Sequence, residues 1–151
     1  MKNIVLSYIS HFKRFYGTVF QPVAEKQGLT QLEVDILLFL YNNPEYNTAR
    51  DIAEIRGFAK SNVSNAVESL RRKGYLASEP DPDSRKVRRL KLSVEKADII
   101  QSLADCQERC FSTMMEGFAP EERRQLWDFL ARTDQNIQKA LAKAEERKRE
   151  V

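Results

Sequence analysis

One stretch, SNVSNAVESLRRKGYLASEPDPDSRKVRRLKL from Ser61 to Leu92, constrains the fold more than any other. In its first part Val63, Val67 and Leu70, with Ala66 alongside, recur at steps of three and four. That spacing lines up one face of a helix running from near Lys60 to Lys73. Gly74 is a natural stop. The segment YLAS then reads as a short strand, EPDPDSRK as a turn rich in Pro, Asp and Ser, and VRRLKLS as a returning strand. Alternation along that strand turns Leu90 and Leu92 inward. Helix and hairpin therefore follow each other without a linker. The hairpin carries cations at its tip and on its return.

The residues before this stretch supply a second short helix. Thr48 with Asp51 has capping spacing, and Gly57 stops the helix near Ile55 or Arg56, with Ile52, Ala53 and Ile55 expected inward. Two short helices separated by about four residues have helix-turn-helix spacing. Upstream, Thr30 and Glu33 form another capping pair, and LEVDILLFLY is apolar on nearly every side, so this helix is expected to be central. Pro44 and its neighbouring asparagines end it. Residues 3–26 place Ile4, Tyr8, Phe12, Phe15, Val19 and Val23 on a helical stripe, and Pro22 is expected to kink that helix or end it near Gln21. After the hairpin, Ser93 is a candidate cap for a helix with Ala97, Ile100, Leu103, Cys106, Cys110 and Met114 in line. Gly117 and Pro120 punctuate the chain. A last helix begins near Glu121, with Leu126, Leu130, Thr133, Ile137 and Leu141 in line.

Charge is concentrated where the fold is most constrained. The 151 residues carry a net charge of +3, yet Phe58–Leu92 holds nine Lys and Arg against four acids. A cationic segment of this kind fits a polyanionic partner. The outward face of the helix from near Lys60 to Lys73 carries Ser61, Asn62, Asn65, Ser69 and Arg72. Small amides and hydroxyls are poor helix formers, but they read base edges and donate to phosphates. Several classes drop out. No apolar run reaches the roughly 20 residues of a membrane span, and no leader pattern is present, so the chain is expected to be cytoplasmic. Two Cys and one His cannot complete a four-ligand zinc site. No phosphate-binding glycine loop, HExxH or GxSxG occurs, which argues against an enzyme, and no cofactor is expected.

The order is helix, helix, helix-turn-helix, wing and two long helices. With AKSNVSNAVESLRRKGYL followed by DPDSRKVRRLKLS, the chain resembles the MarR family of bacterial winged-helix repressors over essentially its whole length, most specifically over Leu29–Leu92. The resemblance implies a mainly α fold with a small β-hairpin wing, in which residues 29–92 form the winged helix-turn-helix core. Residues 1–28 and 93–151 would be the helical dimerisation region of a homodimer. The partner it implies is double-stranded DNA, on a pseudo-palindromic operator. Ser61, Asn62, Ser64 and Asn65 match the groove-reading positions. Arg85 matches the wing-tip arginine, and Asp83 the acid that orients it. Arg72, Lys86 and Arg88 are candidate phosphate contacts. Where the family often has two arginines at the tip, this chain has Arg85-Lys86.

Three further readings stay open on the sequence. Phe12, Tyr16, Phe111, Phe118 and Trp127 could line a pocket for a small apolar or aromatic effector, or could equally be core. Cys106 and Cys110 could be a redox switch, or small hydrophobes on a buried stripe. The winged helix could contact protein rather than DNA, with the basic wing incidental.

Overall fold

The computed structural model describes residues 2–149, which fold into six α-helices and one hairpin. The helices are α1 (Lys2–Gln27), α2 (Gln31–Asn42), α3 (Ala49–Arg56), α4 (Lys60–Arg72), α5 (Ala97–Met114) and α6 (Pro120–Arg149); the strands are β1 (Leu76–Pro80) and β2 (Arg88–Leu92). The chain divides into two compact units, Met1–Cys110 and Phe111–Val151.

The first unit is organised around α2. Both of its capping bonds form: Glu33 N–H donates to Thr30 Oγ1 at 3.2 Å, and Thr30 N–H donates to the Glu33 carboxylate at 2.7 Å. Val34, Ile36, Leu37, Leu38, Phe39 and Leu40 are all buried, so this helix is central, as its all-round apolarity implied. The same core holds Phe20 of α1, Ile52 of α3, Val63 and Leu70 of α4, and Ile100 and Leu103 of α5. The Thr48–Asp51 capping box opens α3 in the same way. Gly57 closes α3 at φ +67°, a left-handed conformation that glycine adopts without a Cβ penalty. Gly57→Ala is expected to destabilise the protein by about 1 kcal/mol, read as a lower denaturation midpoint with an unchanged slope. An unchanged midpoint would mean that the α3–α4 turn does not depend on this conformation.

Strands β1 and β2 pair antiparallel, with Leu76 opposite Leu92 and Ser78 opposite Leu90. Leu76 and Leu90 are buried and Leu92 is half-buried against the core, so the inward alternation holds. The hairpin is tied down at its base. Leu90 N–H donates to Asn47 O at 2.8 Å, and Ser93 N–H donates to Tyr75 O at 2.9 Å.

Three local expectations are corrected. Of the two outcomes expected at Pro22, an end near Gln21 does not occur, and α1 continues to Gln27. The bond Pro22 cannot make is to the carbonyl of Thr18, an exposed residue, and Phe20 and Ala24 on either side of it are buried in the core. Ile55 is exposed, since α3 buries only Ile52 and Ala53. Ser93 makes no side-chain cap. A 3-10 turn, Val94–Lys96, intervenes before α5, and Ala97 is exposed.

The second unit holds the α5–α6 turn and α6. Arg123 donates to the carbonyls of Met115 and Phe118, and Ala119 N–H donates to the Glu122 carboxylate at 2.8 Å. Phe111 meets Trp127 edge-on, with ring centroids 6.2 Å apart. No helix among the described residues is long and apolar enough to cross a membrane.

Candidate nucleic-acid interface

The inward stripe of α4 is Val63, Ala66, Val67 and Leu70, all buried. With that face seated, Ser61, Asn62, Ser64, Asn65 and Arg72 are exposed. Among the described residues none of these five side chains has a hydrogen-bond or ion-pair partner. Ala59, at the N-cap position, makes no side-chain cap bond, and the first backbone bond runs from Val63 N–H to Ala59 O at 3.1 Å. The N–H groups of Lys60, Ser61 and Asn62 precede that bond and are left for an outside acceptor. Ser69, expected outward, is half-buried.

Three residues, Lys73, Gly74 and Tyr75, separate α4 from β1. Gly74 turns the chain at φ +78°, and Tyr75 is buried with its N–H on Leu70 O at 2.9 Å. The wing is thus carried directly on the end of α4. At its far end, Asp81 N–H bonds Val87 O at 2.9 Å and Val87 N–H bonds Ser84 O at 3.1 Å, which leaves Arg85 and Lys86 in the middle of a tight turn. Both are exposed, and neither side chain has a partner among the described residues.

The next two cations are committed within the wing and its base. Arg88 folds onto β1, donating from Nε to Ser78 Oγ at 3.1 Å and from Nη2 to Ser78 O at 2.8 Å. Arg89 donates from Nε to Asp81 Oδ2 at 2.6 Å and from Nη1 to Asn47 Oδ1 at 3.0 Å. Asp81 also accepts the Asp83 N–H at 2.9 Å, an Asx-type turn. The Arg89 bond, seconded by that N–H, holds the Asp81 carboxyl below the usual carboxylate range. So the expected acid–arginine pair is replaced. Asp83 contributes its backbone to Asp81, and Asp81 orients Arg89 rather than the tip. Asn47 and Arg89 lie 42 residues apart in sequence, and nothing in the local pattern of either signals the bond.

Cys106 and Cys110 are free thiols, both buried in the core. Burial, with Cys106 adding to it, pushes the Cys110 thiol up, away from the reactive thiolate. Arg109 Nη2 lies 2.9 Å from Cys106 Sγ. In the native protein both cysteines are expected to react with a thiol reagent at least about 100-fold more slowly than in the unfolded chain. Fast labelling of either one would restore the redox-sensor reading. Along α1, the rings of Tyr8, Phe12, Tyr16 and Phe20 follow one another at centroid distances of 6.3, 5.5 and 4.5 Å. Beside them, His11, Arg14, Phe15 and Thr18 line an open hollow.

Comparison with known proteins follows the same lines. Residues 27–86, from the end of α1 to the wing tip, match the model of the MarR family. The uncharacterized HTH-type transcriptional regulator YdgJ of Bacillus subtilis (strain 168) is 26% identical over 110 residues, which cover 73% of this chain and 66% of that protein. A MarR transcriptional regulator from Methanosarcina mazei Go1 superposes with a TM-score of 0.77 at 17% identity, covering 92% of each chain. The S. aureus MepR–DNA complex superposes with a TM-score of 0.73 at 19% identity, covering 91% of this chain and 96% of that one. At these identities the two solved structures speak for the fold. Family match, relative and fold agree: residues 27–86 form a winged helix of MarR type, and the chain is similar to HTH-type transcriptional regulators rather than to enzymes.

Proposed function

We propose that this protein is a homodimeric repressor that binds double-stranded DNA sequence-specifically in the cytoplasm, on a pseudo-palindromic operator, and is released by a small apolar or aromatic effector. The observation that carries the reading is the division of labour around α4. One face of α4 is spent on the core, while the other keeps two amides, two hydroxyls and Arg72 free of internal partners. In this reading Asn62 and Asn65 contact base edges, and Ser61, Ser64 and Arg72 contact phosphates. Arg85 enters the minor groove and Lys86 lies on the backbone. Arg88 reaches a phosphate only by leaving Ser78. The MepR structure of like fold was determined as a DNA complex, which supports the same use of this winged helix.

Exposed apolar side chains support the dimer. On α1 they include Ile4, Leu6 and Tyr8; on α6 they include Trp127, Leu130, Ile137 and Leu141. Leu126, Leu130, Thr133, Ile137, Ala140 and Ala144 recur at alternating steps of four and three, the seam spacing of paired helices. Residues 1–28 and 93–151 then form the dimerisation region and residues 29–92 the DNA-binding region. A two-fold dimer presents two copies of α4 to half-sites about one DNA turn apart. The aromatic row of α1 supplies ring faces for the effector, which acts by favouring a dimer whose two winged helices no longer match that spacing.

Titration of a labelled duplex between 50 and 200 mM salt tests the reading. A log–log slope of about −4 or steeper is expected, since each copy displaces several counterions. A slope shallower than about −2 would leave the protein-interaction module as the better account.

A further inference from the structure

Lys73 is one of the nine cations of the basic segment and sits at the end of α4, where a phosphate contact is the obvious role. Its surroundings give it a different one. Lys73 Nζ lies 2.9 and 2.8 Å from the two carboxylate oxygens of Glu33 and 2.6 Å from Gly28 O. An ammonium has three N–H donors, and all three are used inside the protein. Glu33 is equally occupied. It is 2% exposed and accepts the Thr30 N–H that caps α2 as well as the Lys73 ammonium. Burial pushes its carboxyl up, but its polar neighbours, Lys73 first and the Thr30 N–H with it, outweigh burial and leave it below its ordinary value.

Lys73 follows directly on α4, so the last turn of that helix is fastened to the α1–α2 junction. The rest of the seating of α4 is made by Val63, Ala66, Val67 and Leu70. Apolar contact of this kind holds depth but has no preferred direction, whereas charged hydrogen bonds are directional. We propose that Glu33 and Lys73 are positioning residues. They set the rotation of α4 about its own axis, and so decide which side chains of the polar face can meet a base edge, without touching DNA themselves. This inference rests on the DNA-reading role of α4 proposed above. It adds a route by which movement at the end of α1 reaches the reading face.

The test is a double-mutant cycle of Lys73→Met, Glu33→Gln and the pair, at a temperature where every variant is more than about 95% folded. Two things are measured: the ratio of affinities for a selected operator and for random duplex, and hydrogen exchange of the free protein. Each single substitution is expected to lower the affinity ratio tenfold or more with the salt slope unchanged. The pair should lose no more than the worse single, because both members act through one contact. In the free protein, exchange should speed up in α4 relative to α5 in each variant. Two results would overturn the proposal. One is a salt slope reduced by about 2 in Lys73→Met, with Glu33→Gln like wild type, which would make Lys73 a phosphate contact in each copy. The other is unchanged exchange in α4. If the wild type binds no DNA, the DNA-reading role fails by itself, and the exchange measurement alone decides whether the pair positions α4.

Discussion

Replacing Arg85 with alanine is expected to weaken operator binding by about 2–4 kcal/mol, roughly 30- to 1000-fold, with the dimer and the fold intact. The size follows from where Arg85 stands. The wing presents four cations between Arg85 and Arg89, and two of them are already spent. Arg88 is bonded to Ser78, and Arg89 spans Asp81 and Asn47. Arg85 and Lys86 remain at the turn, and of these Arg85 has the planar fork that suits a narrow minor groove. The proposed dimer would lose the contact twice. Stability should move by less than about 0.5 kcal/mol, because the side chain is exposed and bonds nothing in the described structure. Lys86→Ala should cost less in affinity, as the loss of one exposed point charge per copy. Affinity unchanged in Arg85→Ala, measured by anisotropy at fixed salt, would remove the wing from the interface.

Lys73→Met is expected to cost about 2–3 kcal/mol of folding stability at pH 7, below the range for a fully buried pair because the Lys73 side chain is 34% exposed. The loss leaves the Glu33 carboxylate buried against α4 without its cation. Its pH dependence has a definite sign. In the wild type the Glu33 carboxyl is held below its ordinary value, so it adds stability above pH ~4.3, and that stability is lost as pH falls through the lowered value. In the variant the charged form has lost its main partner and this contribution shrinks or reverses. The gap between wild type and variant should therefore be widest near neutral pH and narrow below pH ~4. Denaturant titrations at the two pH values measure it. A gap of the same size at both would mean that the stem of Lys73, rather than its charge on Glu33, is what matters.

Much of the fold is legible in short-range spacing. Thr30 with Glu33, Thr48 with Asp51, Gly57 and Gly74 each announce an element boundary through local chemistry, and caps and turns stand there. The exposed face of α4 was legible for a related reason, since three and four residue steps leave one arc of the helix for the core. Where local rules misled, a neighbour at long range or a matter of angle decided. Pro22 stays inside α1 because core packing of Phe20 and Ala24 outweighs one missing bond on the exposed side. Ile55 lies roughly 110° round the helix from the midline of Ile52 and Ala53, too far to share their burial. The Glu33–Lys73 and Asn47–Arg89 bonds join residues 40 and 42 positions apart. The local window of each of those four residues gives no sign of the distant partner. Arg88 reads as a free phosphate contact in its own window, and the structure holds it on Ser78.

The most direct test of the regulator reading is selection from a random double-stranded DNA pool at two salt concentrations, followed by sequencing of the bound fraction. The account predicts a two-fold symmetric motif with half-sites about one DNA turn apart, and weaker recovery at the higher salt. Recovery of no motif at either salt would contradict it.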